Sequence, residues 1–313
     1  MNKDSLFNDA LIESYIEWKA DAIIAKKLKK VVIEKIEIPP IGEIDLTGEH
    51  PKFKPLLISL SAGLNVALVW PAGTGKTTAA RQVAIKLWKE FYSISVGQQT
   101  GKHEFFGYQD AHGNYVTTLF RKAYEEGGIF LIDEFDAGNS NVLTSVNQAL
   151  SNGYCPFPNG MVEKHKDFIC IVAGNTYGLG GNGIYSGRNV IDGATLDRFV
   201  FIMWEQDPNL EEELSLGNAH WLKIVREARN NAEKNDIQTI IGNRTIKHGS
   251  ILLGMWVPVD DVIQMTLIKW LAEDEAKSIM KWITTAIPKV SKAVSEWTTW
   301  TTEATVEKSD FPF

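Results

Sequence analysis

The sequence predicts a doubly wound α/β fold, a parallel sheet covered by helices on both faces, with a helical lid after it. Three observations carry this expectation. Short apolar runs near residues 65–69, 92–96, 129–132, 168–173 and 199–204 alternate with stretches of helical period, the pattern of strands buried between crossover helices. The first run enters Trp70-Pro71-Ala72-Gly73-Thr74-Gly75-Lys76-Thr77, a glycine-containing turn that opens a helix. The third, Ile129-Phe130-Leu131-Ile132, ends on Asp133-Glu134, so its C-terminal end opens onto a polar crevice.

Composition narrows the class. At 313 residues the chain can bury one large core, or a core with a smaller domain, and 44% hydrophobic with 23% charged residues is the balance of a soluble globular protein. The net charge of −7 disfavours nucleic acid as the main partner, although a local basic patch stays open. Cys155 and Cys170 form neither a close metal-ligand spacing nor a disulfide framework, which suits a reducing cytoplasm. The N-terminus, Met1-Asn2-Lys3-Asp4-Ser5, is polar and mixed in charge, unlike a signal peptide. The longest apolar stretch, Leu56–Trp70, is broken by Ser59, Ser61, Gly63 and Asn65 and is too short to span a membrane.

In chain order, Asp4–Lys35 reads as a helix with Leu6, Phe7, Ala10, Leu11, Ser14, Tyr15 and Trp18 on one face; Lys26-Lys27 and Lys29-Lys30 form a basic cluster suited to a solvated helix end. Ile36–Gly48, with Pro39-Pro40 and Gly42, reads as an extended linker, and Phe53–Ser61 as a helix leading to the first strand. After the turn, Lys76–Phe91 is apolar at Ala80, Val83, Ala84, Leu87, Trp88 and Phe91, at helical spacing. The turn, Pro71, Ala72, Gly73, Thr74, Gly75, Lys76, Thr77 and Thr78, aims consecutive backbone N–H groups and a helix N-terminus at one point, which suits a polyphosphate. Lys76 is placed to reach the β- and γ-phosphates and the Thr77 hydroxyl to ligate Mg²⁺. The full pattern G-x-x-x-x-G-K-[ST] begins with glycine where this chain has Trp70, so the indole must point away from the nucleotide or distort the turn.

Tyr92–Val96 follows as a strand, and the loop Gly97–Gly113 carries Phe105-Phe106-Gly107-Tyr108, aromatics that either grip a partner or pack on the core. Val116–Glu126 reads as a helix. At the end of the acid-tipped strand, Asp133 is placed to hold Mg²⁺ and Glu134 to orient and deprotonate an attacking water. Asp136–Ser151 reads as a helix, Asn152–Lys166 as a turn-rich hairpin, and Phe168–Ala173 as a buried strand. Asn175, just beyond it, is placed to hydrogen-bond both the γ-phosphate and the water, or is a plain turn residue. A glycine-rich loop, Gly178–Gly187, leads to Leu196-Asp197-Arg198-Phe199 and the last strand, Phe199–Trp204. Helices over Leu210–Lys234, Thr245–Trp256 and Asp261–Leu271 make the lid, with Arg244 at a helix start facing either the nucleotide or solvent. The tail Trp282–Phe313, with Trp297 and Trp300, carries no motif.

In this order the set resembles the P-loop NTPase core of AAA+ ATPases, more narrowly their MoxR/CbbQ-type branch. The resemblance rests on residues 70–77 as Walker A, 129–134 as Walker B, Asn175 as sensor 1, Leu196–Phe199, and Asn243-Arg244-Thr245. Tyr185–Phe199 is similar to the branch's segment between sensor 1 and the arginine finger, and Ile241–Gly254 to its lid motif. It covers about residues 50–255 and implies ATP and Mg²⁺ as cofactors, with Thr77 and Asp133 on the metal. The implied catalytic set is Glu134, Asn175, Arg198 reaching the γ-phosphate of a neighbouring subunit, and Arg244 as sensor 2; Arg188 is the next candidate for the finger. The implied assembly is a homo-oligomer, a hexameric ring whose central loops, at Phe105, Phe106 and Tyr108, grip a client protein. The implied domains are an N-terminal helix and linker over 1–50, the nucleotide-binding core over 51–206, the lid over 207–285 and a tail over 286–313. The expected reaction is hydrolysis of ATP to ADP and phosphate, used to remodel or activate a client. A nucleic-acid motor or restriction-like ATPase, and a nucleotide-binding assembly protein with weak turnover, are the rivals; no membrane is expected.

Overall fold

The computed structural model describes residues 35–38, 41–181 and 183–286, in two compact units, Met1–Glu49 and His50–Phe313. The helix expected from Asp4, its lysine cluster, and the tail beyond residue 286 lie outside the described residues. In the first unit, β1 (Lys35–Ile38) and β2 (Gly42–Asp45) pair antiparallel, with Ile36 opposite Ile44. The segment expected as an extended linker is therefore a hairpin. Its isoleucines favour a strand, and Gly42, at φ +95°, supplies the turn.

The second unit begins with α1 (Phe53–Ser61), whose Phe53, Leu56, Leu57 and Leu60 are buried. Next come β3 (Val66–Val69), α2 (Lys76–Lys86) and β4 (Phe91–Ser95). A small helix and hairpin follow: α3 (Lys102–Phe106), β5 (Tyr108–Gln109) and β6 (Tyr115–Val116). Then α4 (Leu119–Glu126) leads to β7 (Gly128–Asp133), a 3-10 turn at Phe135–Ala137 and α5 (Ser140–Asn152). A second hairpin, β8 (Tyr154–Phe157) and β9 (Gly160–Glu163), precedes β10 (Phe168–Gly174), α6 (Gly193–Leu196) and β11 (Val200–Met203). Five helices close the described chain: α7 (Pro208–Leu214), α8 (Ala219–Lys234), α9 (Asn243–Gly254), α10 (Val259–Thr266) and α11 (Glu273–Ala286).

The five main strands form one parallel sheet in the order β11-β3-β10-β7-β4. This is the parallel α/β sheet of a P-loop fold. The three central strands, β3, β10 and β7, are buried almost throughout, which is why they read as unbroken apolar runs rather than alternating ones. One face of the sheet packs an aromatic cluster. Phe120 stands at its centre, 5.2 Å from Phe130 and 5.7 Å from Phe105. A second core, with Trp221, Val225, Ile246, Ile263 and Ile279, holds the C-terminal helices together.

Several boundaries differ from expectation for visible reasons. The helix after the turn stops at Lys86. Trp88, with φ 53°, turns the chain outward and is exposed, while Phe91 already belongs to β4. The helix expected from Val116 starts at Leu119, because Thr118 caps it by accepting from Arg121 N–H and Val116 is paired in β6. The long helix expected over Leu210–Lys234 is two helices, parted at Leu216 and Gly217, both with positive φ, and Asn218 caps the second. The largest correction concerns the aromatics expected to grip a client. Phe105 is fully buried and Phe106 packs against Phe120 and Phe157, so both are core residues; of the three, Tyr108 alone is exposed.

Candidate functional site

The parallel sheet brings three loops to one edge. The turn after β3, the acidic stretch after β7 and the residues after β10 leave the C-terminal ends of neighbouring strands, where such sheets bind ligands. Far apart in sequence, they are adjacent because β10 lies between β3 and β7.

The turn is built as a cradle. Positive φ falls at Gly73 (+88°) and Gly75 (+91°), and Trp70 is not among the positive-φ residues. The missing glycine therefore costs no backbone strain: Trp70 is half-buried and its carbonyl faces inward. Gly75 precedes α2 and offers no side-chain cap, leaving the first N–H groups of the helix for an external acceptor. Lys76 is buried and folds back into the cradle. Its Nζ donates to the Trp70 carbonyl at 2.5 Å and to Asn175 Oδ1 at 3.0 Å. Burial pushes its ammonium down to about 8, against the pull of the Glu134, Asp133 and Asp136 carboxylates. Thr74 is buried, Pro71, Thr77 and Thr78 are exposed, and Ala72 and Gly73 lie half-buried between them.

Thr77 Oγ1 donates to Asp133 Oδ2 at 2.6 Å. A hydroxyl and a carboxylate side by side are hard oxygen donors of the kind Mg²⁺ takes, so these residues fit that ion. Glu134, next in the chain, has φ 56°, a left-handed conformation uncommon for a residue with a side chain. Its Oε2 accepts from Asn175 Nδ2 at 2.9 Å. Lys76, Asn175 and Glu134 thus form a continuous chain of contacts across the three loops.

Two residues that the sequence did not single out for the site, Asp136 and Tyr185, belong to this constellation, together with Arg188, which the sequence offered only as the second choice for the arginine finger. Arg188 Nη1 stands 2.6 Å from Glu134 Oε2 and 3.1 Å from Asp136 Oδ1. Asp136 is fully buried; its Oδ2 accepts from the N–H groups of Asn175 and Thr176 and from the Thr176 hydroxyl. The Tyr185 hydroxyl accepts from Ala72 N–H at 2.8 Å, tying the loop after β10 to the cradle. A faint signal existed: Asp136 lies two positions past Glu134, and Tyr185 and Arg188 lie in the stretch after Asn175.

The two remaining arginines lie elsewhere. Arg198 precedes β11, where Val200 N–H bonds Asn65 at the start of β3, the end of the sheet opposite the cradle. It donates to Ser151 Oγ at 2.7 Å and to the Ala194 carbonyl. Arg244 is exposed in the first turn of α9. The residues just before it do reach the cradle, since a side chain on Gly242 would press on the Ala72 carbonyl at 3.1 Å.

Residues 65–199 match the family described as AAA domain (dynein-related subfamily). Midasin of Dictyostelium discoideum is 27% identical over 156 residues, 48% of this chain but 2% of midasin. Lon protease 1 of Bacillus subtilis is 25% identical over 172 residues, 50% of this chain and 22% of the protease. An ATP-dependent protease ATP-binding subunit-like protein of Rhodococcus erythropolis is 30% identical over 142 residues, covering 41% and 37% of the two chains. The chain thus spans only a small part of the curated relatives it matches.

Proposed function

We propose that this chain, whose residues 65–199 match the AAA domain family, hydrolyses ATP to ADP and phosphate. The observation that carries the reading is the meeting of Lys76, Thr77, Asp133, Glu134 and Asn175 at one edge of the sheet. Lys76 and the N–H groups opening α2 hold the β- and γ-phosphates. Thr77 and Asp133 would hold Mg²⁺, which supplies charge neutralisation on those phosphates. Glu134 takes a proton from the water that attacks the γ-phosphorus, Asn175 orients that water, and the bond to the β–γ bridging oxygen breaks, releasing ADP. As in phosphoryl transfer generally, positioning and charge stabilisation do most of the work.

The finer reading is a MoxR/CbbQ-type chaperone working as a hexameric ring, with α7–α11 as its lid, Arg244 as sensor 2 and Arg198 reaching the nucleotide of the next subunit. It is supported by the order of the motifs and by Gly242 and Asn243 lying against the phosphate cradle. The exposed Tyr108 is the candidate contact with a client protein. Among the described residues no helix is long and apolar enough to cross a membrane. Cys155 and Cys170 are buried and free, which supports a reducing, cytoplasmic setting. Steady-state phosphate release from ATP and Mg²⁺ tests the core of the proposal. Absence of turnover in the wild-type protein, with nucleotide still bound, would leave only a nucleotide-binding assembly role.

A further inference from the structure

The acid proposed as base is held by more than the cradle. Glu134 Oε2 receives Asn175 Nδ2 at 2.9 Å and stands 2.6 Å from Arg188 Nη1. The same guanidinium nitrogen donates to Asp136 Oδ1 at 3.1 Å. Asp136 is itself immobilised, since its other oxygen accepts from two backbone N–H groups and one hydroxyl and none of its surface is exposed. The Tyr185 ring lies 5.5 Å from the guanidinium carbon, and the next residue, Asn189, bonds the backbone carbonyls of Asp136 and Gly138. Arg188 therefore reaches Glu134 from a buried anchor, with one guanidinium nitrogen, Nη1, set between the two carboxylates.

We infer that Arg188 is a positioning residue for Glu134 in its own chain: it and Asn175 hold one carboxylate oxygen, leaving the other to take the proton of the attacking water. The inference rests on the ATPase reading and adds a residue to its machinery. Its logic is that of a base oriented by a third group that is itself anchored. Glu134 needs such support, because a non-glycine residue at φ 56° keeps that backbone only when its surroundings impose it. Arginine suits the role better than lysine, since a planar guanidinium presents several donors in fixed directions to two carboxylates at once.

The test compares Arg188→Gln and Arg188→Lys with wild type for ATP turnover and for nucleotide affinity. Arg188→Gln lowers kcat by about 10²-fold, the scale of a mispositioned catalytic group, while KM and nucleotide affinity stay close to wild type. Arg188→Lys recovers part of the loss, because it keeps the charge without the planar guanidinium. In a Glu134→Gln background, single-turnover rates with and without Arg188→Gln coincide, since the group being positioned is gone. Unchanged kcat in Arg188→Gln, a loss confined to KM, or a full multiplicative loss in the double variant would each overturn the inference. So would recovery of activity on mixing Arg188→Gln and Glu134→Gln subunits, which would place the arginine in a neighbour's site. If Arg188→Gln fails to fold, the double-variant and mixing comparisons are made with Arg188→Lys, with the same outcomes deciding. A wild-type protein without turnover sinks the ATPase reading itself, whereas wild-type turnover with an indifferent Arg188 sinks only this inference.

Discussion

Lys76 enters its task at a disadvantage, because it is buried and its ammonium is pushed down to about 8. A bound polyphosphate supplies the compensating charge, so Lys76→Ala should remove nucleotide binding; wild-type affinity in a titration with fluorescent ATP would sink the assignment. Glu134→Gln keeps the shape and the contact with Asn175 but is no base. It should bind ATP and lose about 10²–10⁴-fold in turnover; near-normal phosphate release would move the role elsewhere. Trp70 offers a contrasting case. The left-handed residues of the turn are Gly73 and Gly75, so Trp70→Gly relieves no strain there. It adds freedom to the unfolded chain, worth roughly 0.5–1 kcal/mol, and should lower the melting temperature with little change in ATP affinity. At this scale the sequence was informative wherever chemistry follows fixed local offsets. Lys76 and Thr77 sit at set positions after a strand, and Asp133 and Glu134 end an apolar run. Arg188 and Asp136 were not legible as partners, because a pairing between separate loops leaves no spacing to read.

At the scale of elements, buried strands announced themselves and helix ends did not. Phe168–Gly174 is fully buried, so its apolar run needs no periodicity to be recognised. Trp88 fits a helical stripe by count, yet it is exposed beyond the helix end; the period alone cannot show where the backbone turns away. Phe105 and Phe106 failed the expectation for a related reason. Glycine and polar neighbours marked a loop, whereas the rings belong to the cluster around Phe120. Phe106→Ala is therefore expected to destabilise the fold, by less than the ~3–5 kcal/mol of a fully buried phenylalanine because the ring is only partly buried, read as a drop in the urea midpoint; unchanged stability would return the ring to a surface role. In the second core, a Cβ on Gly249 would collide with the Trp221 indole, whose N–H bonds the Ile246 carbonyl. Gly249→Ala should loosen the packing of α8 on α9 by about 1–3 kcal/mol. Hydrogen exchange localises that effect: protection falls in α8 and α9 and holds in the sheet, and uniform loss would contradict two separable cores.

For the whole molecule, the position of Arg198 sets the decisive experiment. It lies at the end of the sheet away from its own cradle, so any action on a nucleotide must come from a neighbouring chain. Arg198→Ala and Glu134→Gln subunits, each inactive alone, should regain a measurable fraction of activity when mixed, because an arginine finger is worth about 10³–10⁵ in turnover. Exchange of subunits without recovery would remove Arg198 from the reaction. The sheet order has a further consequence, for the birth of the protein rather than its work. β10 is the wedge between β3 and β7, although both are made long before it. A ribosome-bound chain ending before Phe168 holds the phosphate turn and the acidic strand but lacks the strand that makes them neighbours. The capacity to hold nucleotide is then acquired in one late step of topological closure, and a stalled nascent chain should bind no ATP until β10 has left the exit tunnel. Nucleotide capture by arrested chains of increasing length reads that threshold directly; capture by a chain lacking β10 would show that the cradle matures alone.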